Sequence, residues 1–268
     1  MSEHALSSVA RPVASARAAR EELGVGRDSP IADVLRLIED AARIPVTLLP
    51  LPKKVAGAYG RAAADEPYIF VNSWAHAVRR RFTLAHEFGH HALGHVGMVD
   101  LNEDIDGETS TREVEANQFA AEFLAPLQAV GNWMEARGYK TVTLDILVQL
   151  ANDFGISAES ARYRLADARF LTKRMEISNL DAQIRAGEHK RRFNSLNLEL
   201  SQDAISLVRV GLGSFRPSAV IQQDAVEVYR YGVLGLDEIA ATLGRTPEEV
   251  ECAFKERGIE PLEDELDF

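Results

Sequence analysis

Cysteine is almost missing from this chain. Of its 268 residues only Cys252 is a cysteine, so no disulfide can form within it. That suits a reducing compartment and predicts a buried, inert thiol. Long apolar runs are missing too. None approaches the roughly 20 residues that a membrane-spanning helix needs. The opening MSEHALSSVARPVASARAAR has no apolar core of the secretory kind. Its Ala/Ser/Arg character faintly resembles a transit peptide, but a frayed terminus is the simpler reading. These absences predict a cytoplasmic protein with no membrane partner. Basic charge is in deficit: 30 Lys and Arg stand against 41 Asp and Glu, a net charge of −11. Residues 1–175 hold 20 basic and 23 acidic side chains, and residues 176–268 hold 10 and 18. Affinity for nucleic acid rests largely on lysine and arginine meeting phosphates, so the balance argues against direct DNA binding. Internal repeats and low-complexity tracts are also lacking, apart from two similar helical hairpins.

What is present is ordinary for a globular protein, at 46% hydrophobic and 26% charged residues. The length allows one large domain or two modest ones. Apolar residues recur at helical spacing over 31–43 (IADVLRLIEDAAR), with Pro30 at a first-turn position. VTLLPLP and VAGAYG read as short strands, and PYIFVN (67–72) is the clearest strand of all. Small and polar residues between 55–60 and 67–72 predict a hairpin or meander. A helix is expected from about Trp74 to Leu93, stopping near Gly94. Residues 96–110 (VGMVDLNEDIDGETS) lack periodicity and carry five carboxylates, which reads as an exposed loop. A further helix, TREVEANQFAAEFLA, ends at Pro126. LDILVQLANDF, GIS and AESARYRLADARF have the rhythm of helix, turn and helix, as does GLDEIAATLGRTPEEVECAFKERG near the end. The polar stretch EISNLDAQIRAGEHKRRF reads as a helical connector with a boundary in it. The expected organisation is a flexible or helical segment at 1–29, a mixed domain at 30–175 that includes a hairpin at 144–170, and an α-helical domain at 176–268.

Chemistry concentrates in RRRFTLAHEFGHHALGH (79–95), which holds four of the seven histidines. His86-Glu87-Phe88-Gly89-His90 is an H-E-x-x-H sequence. On a helix His86 and His90 stand one turn apart on one face, so both imidazoles can reach a single ion. Glu87 lies on their flank, within reach of a water on that ion without ligating it. Leu84, Ala85, Phe88 and Ala92 line the back, while Phe82 and Leu93 bracket the histidines, an arrangement that buries the helix nearly all round. The competing reading is a buried helix whose histidines are satisfied by hydrogen bonds; two neutral imidazoles on a dry face each need partners, which weakens it. His91 points away and His95 follows Gly94, so both are assigned to structure or surface. A catalytic zinc usually takes three protein ligands. In 113–124, Glu113, Ala116, Asn117, Ala120 and Leu124 share one small, mostly apolar face, and Glu115, Gln118 and Glu122 share the opposite, solvated one. The inward carboxylate is therefore Glu113, with Asn117 one turn further on. Ser110-Thr111-Arg112-Glu113 also fits a capping box, so a capping role for Glu113 stands beside the ligand role.

RRRFTLAHEFGH followed by EVEANQFAAEFLAP resembles the ImmA/IrrE family of zinc metallo-endopeptidases. The similarity runs from before PYIFVN to FGISAESARYRL, over roughly residues 30–172. The resemblance implies that His86, His90 and Glu113 are zinc ligands and Glu87 the catalytic base. The Glu113-x-x-x-Asn117 order is similar to the gluzincin pattern, in which the residue four past the ligand glutamate orients a zinc-bound histidine. Asn117 would take that role with an amide where many gluzincins have a carboxylate. The implied fold is α+β: a zincin-like core of a small antiparallel or mixed sheet and active-site helices, then a helix-turn-helix-like hairpin and an all-α C-terminal region. Zinc so held lowers the pKa of its water to about 7, and Glu87 would accept the proton. Family members typically cleave helix-turn-helix repressors and release stress-response or mobile-element genes, which implies a protein substrate of that class. The strand 67–72 would offer an edge for an extended substrate.

Two rival readings remain. One is a DNA-binding or protein-binding regulator with a structural or vestigial metal site, resting on the tail hairpin. Its second helix brings Glu248, Glu249, Glu251 and Glu256 against Lys255 and Arg257, which would meet phosphates with like charge. HKRRF (189–193) is a small basic cluster of the kind found on solvated helix faces. The other is a sensor whose C-terminal part controls the peptidase, with the acidic segment 96–110 as either a lid or a linker.

Overall fold

PYIFVN forms strand β3 (Pro67–Asn72), and it lies inside the sheet rather than at its rim. In the computed structural model, which describes residues 3–62, 65–95, 98–101, 111–198 and 207–261, it is flanked by β1 (Val46–Leu49) and β2 (Val55–Arg61). β1 runs parallel to β3, pairing Val46 with Ile69. β2 runs antiparallel, pairing Tyr59 with Ile69. The expectation that 67–72 offers a substrate edge is therefore corrected. Ile69 and Val71 are fully buried, and a strand carrying such side chains gains most from neighbours on both sides. Among the described residues the edges belong to β1, which is bridged at Leu48 by Arg216, and to β4 (Met98–Leu101), which pairs antiparallel with β2 and gives the order β1-β3-β2-β4. β4 arises from the segment read as a loop. Four residues are too few for periodicity to announce a strand; the rest of that segment, 96–97 and 102–110, lies outside the described residues.

Helix α1 (Glu3–Glu22) is followed by α2 (Val34–Arg36), which continues as one wider π turn over Leu37–Ala41. Helix α3 (Ala77–Ala92) then crosses the sheet. It starts three residues later than the Trp74 expected, because Asn72 and Arg80 hold the preceding residues in a turn. Asn72 accepts from the Trp74 N–H at 3.0 Å, and Arg80 Nε donates to the Ala75 carbonyl at 2.7 Å. Apart from the half-buried Phe82, every residue from Arg80 to His90 is buried, in agreement with the all-round burial expected of this helix. Two glycines allow its close contacts. A Cβ on Gly89 would come within 2.9 Å of the Phe119 ring on α4 (Thr111–Leu124). A Cβ on Gly57 of β2 would meet the Thr83 methyl at 2.6 Å, Glu87 Oε1 at 2.7 Å and the Phe70 carbonyl at 2.9 Å.

The face of α4 read as solvated is not solvated. Glu122 is fully buried, paired with Arg17 of α1 at 2.9 Å and with Arg164 of α7 (Ala158–Asp167). The Glu115 side chain is only 14% exposed. Helix α1 lies across this face, with Arg20 buried and donating to the Phe123 carbonyl at 2.5 Å. Periodicity shows which residues of a helix lie together, but not that a distant segment covers the polar set.

Beyond α4 come α5 (Leu127–Ala136), α6 (Leu144–Phe154), then α7, α8 (Arg174–Arg185) and α9 (Glu188–Ser195). The main core draws on all parts of this region and includes Leu180 and Leu207. A separate small core of Ala225, Ile239, Ala240, Leu243, Val250 and Phe254 joins α10 (Ala219–Arg230), α11 (Leu236–Leu243) and α12 (Pro247–Glu256). Arg216 ties the two together, pairing with Glu39 at 2.6 Å and exchanging backbone hydrogen bonds with Leu48. Cys252, expected to be buried, is exposed on α12. Its helix belongs to a small three-helix unit that covers only one face. Among the described residues no helix is long and apolar enough to cross a membrane.

Candidate metal centre

His86 and His90 project from consecutive turns of α3, and their Nε2 atoms lie 3.0 Å apart. Glu113, in the first turn of α4, reaches both: Oε2 is 3.0 Å from His86 Nε2 and Oε1 is 3.5 Å from His90 Nε2. Ser110, the residue a capping box would require, lies outside the described residues. The Glu113 carboxylate itself faces the imidazoles. Burial pushes this carboxyl up, but hydrogen bonding and charge from His86 and then His90 overcome it and hold it at about 2. A group that stays anionic between two imidazole nitrogens is suited to a cation.

The far sides of both imidazoles are engaged. His86 Nδ1 lies 3.1 Å from Asn117 Oδ1, one turn along α4 from Glu113. An amide oxygen only accepts, so Nδ1 carries the proton; in the neutral ring Nε2 then offers its lone pair to a cation, and in the charged ring it donates to Glu113. His90 Nδ1 lies 2.9 Å from His95 Nδ1. His91 turns away as expected, with Nδ1 3.1 Å from the Tyr59 hydroxyl. Glu87 is fully buried on the flank nearest β2.

The donor atoms of His86, His90 and Glu113 all lie within 4.8 Å of one another. Tetrahedral zinc with bonds of about 2.0–2.1 Å sets its donors roughly 3.3 Å apart. The observed 3.0, 3.0 and 3.5 Å lie on either side of that spacing. Two neutral imidazoles and a carboxylate are also a donor set this ion accepts, so the residues fit it. Beside the centre an apolar cleft of about 450 Å³ opens between α3, α4 and α7, lined by Phe82, Val114, Asn117, Ala121, Ile156 and Tyr163.

Residues 40–166 match the model of the IrrE N-terminal-like domain. Through this domain the chain is similar to the ImmA/IrrE family. The IrrE-like domain spans β1 to α7 and holds every residue of the centre, whereas α1, which covers α4, lies outside it. The radiation response metalloprotease IrrE of Deinococcus deserti is 31% identical over 161 residues, covering 58% of this chain and 55% of the relative. The protein of the same name from Deinococcus radiodurans is 38% identical over 105 residues, covering 37% of this chain and 30% of the relative. The chain thus matches about half the length of the first relative and under a third of the second.

Two residues near the centre do more than their sequence positions announce. His95, set aside as structure or surface, is buried and touches His90. Glu115, placed on a solvated face, is its partner at 3.1 Å. The available signal was Gly94: a glycine ending a helix turns the chain back, so the next residue returns over the last turn.

Proposed function

We propose that the chain is a zinc-dependent metallo-endopeptidase that cleaves a partner protein, with helix-turn-helix repressors of stress-response or mobile-element genes as the substrate class. The observation that carries this reading is the convergence of His86 Nε2, His90 Nε2 and the Glu113 carboxylate to zinc-like spacing beside a buried glutamate. His86, His90 and Glu113 hold the ion. Zinc in such a site supplies Lewis-acid chemistry, making water nucleophilic near neutral pH and polarising a carbonyl. Glu87 takes the proton from the attacking water and returns it to the departing amine. Asn117 fixes the His86 ring. A substrate side chain enters the apolar cleft beside Phe82 and Val114, and its extended backbone pairs along the open edge of β4. The metal ligands and sheet together form a zincin-like core, with the α6–α7 and α11–α12 hairpins as helix-turn-helix-like units. The exposed carboxylates of α12 suit a protein or intrachain contact rather than phosphate.

The decisive experiment incubates the zinc-loaded protein with a helix-turn-helix repressor encoded beside its gene. A discrete cut is expected, lost with chelator and lost in Glu87→Gln at unchanged zinc content. An intact repressor would remove the substrate class, and cleavage by Glu87→Gln at the native rate would remove the base.

A further inference from the structure

The end of α3 is built to send a side chain back towards the metal centre. Gly94 adopts φ +70°, its N–H bonds to the His91 carbonyl at 3.0 Å, and the His95 N–H bonds to the His90 carbonyl at 2.9 Å. This is a Schellman turn, in which the residue after the glycine folds over the last helical turn. The residue so returned is His95, 6% exposed, with Nδ1 2.9 Å from His90 Nδ1. Its other nitrogen, Nε2, lies 3.1 Å from Glu115 Oε2 on α4. Arg11 of α1 stands at the end of this chain, 3.7 Å from Glu115 Oε1 and donating to the Leu93 carbonyl at 2.8 Å.

Hydrogen-bond roles follow from the last acceptor inward. The Glu115 carboxylate only accepts, so His95 donates through Nε2–H. A neutral imidazole with its proton on Nε2 offers a lone pair at Nδ1, which can only receive the Nδ1–H of His90. His90 is thereby left with its Nε2 lone pair directed at His86 and Glu113. Each bond fixes the tautomer of the next ring.

We infer that His95 and Glu115 are positioning residues for the metal centre, holding His90 in the ligating tautomer and orientation as Asn117 holds His86. This rests on the metal-centre reading above. Partners on the far nitrogen of a ligating histidine commonly change metal affinity 10- to 100-fold when removed. One of the two restraints thus comes from the Schellman turn that closes the helix and from a face of α4 covered by α1.

The test measures zinc affinity by competition with a chromophoric chelator and the visible spectrum of the cobalt(II)-loaded protein. The variants are His95→Ala, His95→Gln and Glu115→Ala, all checked for native circular dichroism. A glutamine at 95 can accept from His90 through its carbonyl and donate to Glu115 through its amide. His95→Ala is expected to bind zinc about 10- to 100-fold more weakly and with an altered cobalt spectrum. His95→Gln should restore affinity to within about 3-fold, and Glu115→Ala should fall between the two. If His95→Ala is too unstable to measure, Glu115→Ala decides the question: weakened zinc binding in a folded protein supports the inference, and unchanged binding overturns it. Native zinc affinity and cobalt spectrum in folded His95→Ala would overturn the positioning role while leaving the metal centre intact. Failure of the unaltered protein to bind zinc at all would remove the centre and this inference together.

Discussion

Gly57→Ala adds one methyl group, and the structure shows where it goes. The new Cβ would stand 2.6 Å from the Thr83 methyl, 2.7 Å from Glu87 Oε1 and 2.9 Å from the Phe70 carbonyl, where ordinary contact begins at 3.4 Å. The Phe70 carbonyl belongs to a central strand and yields only at the cost of its pairing, so most of the adjustment falls on the side chains of α3. For Glu87 Oε1 the shortfall between 2.7 and 3.4 Å is a retreat of 0.7 Å. Overpacking of this kind costs about 1–3 kcal/mol, and alanine in place of a strand glycine returns roughly 0.5–1 kcal/mol. The net loss of about 0–2.5 kcal/mol corresponds to a melting point lower by at most about 10 °C for a chain of this size. Catalysis should suffer more than stability, because misplacing a reacting group by about 1 Å can cost on the order of 100-fold. Turnover of a fluorogenic peptide library is thus expected to fall about 10- to 100-fold while zinc content, set by three other side chains, stays native. Adding Thr83→Ala to Gly57→Ala removes the methyl collision but leaves that with Glu87, so it should recover stability without recovering turnover. A Gly57→Ala protein of native zinc content and native turnover would refute the idea that β2 places the carboxylate of Glu87.

Other consequences are as direct. Glu113→Ala should lower zinc affinity at least 10-fold by chelator competition, whereas a purely capping glutamate would leave zinc occupancy full and lower only stability. In the chelated protein the Glu113 carboxyl is held at about 2, below the 4.5 of the unfolded chain. Its contribution to stability is therefore complete above pH 4.5 and disappears as pH falls towards 2, and Glu113→Gln should flatten that part of an acid-unfolding curve. Glu122→Ala leaves buried Arg164 without its carboxylate and should cost about 3–5 kcal/mol in denaturant unfolding; a loss under about 1 kcal/mol would mean that the pair contributes little.

The parts of the fold that could be read from sequence are those fixed by local rules. PYIFVN and LDILVQLANDF carry their periods within a few residues, and their boundaries agree with β3 and α6. The meeting of His86, His90 and Glu113 was also legible, because helical spacing aligns the first two and burial of small residues on α4 turns the third inward. What escaped depended on distant segments. β3 is central only because β1 joins it in parallel, and the four residues of β4 form a strand only against β2. Glu115 and Glu122 look solvated until α1 and α7 bring Arg11, Arg17 and Arg164 over them. His95 could have been placed from the Gly94 turn, but its partner could not.

The three donor groups already face one another at zinc-like spacing, held by hydrogen bonds from residues of the fold itself. A small zinc-finger module collapses when its ion is withdrawn, since there the ion is what organises the chain. Here a broad apolar interior does that work. Stripping a bound ion should therefore leave an ordered protein that takes the metal up again on simple replenishment, with no refolding step in between.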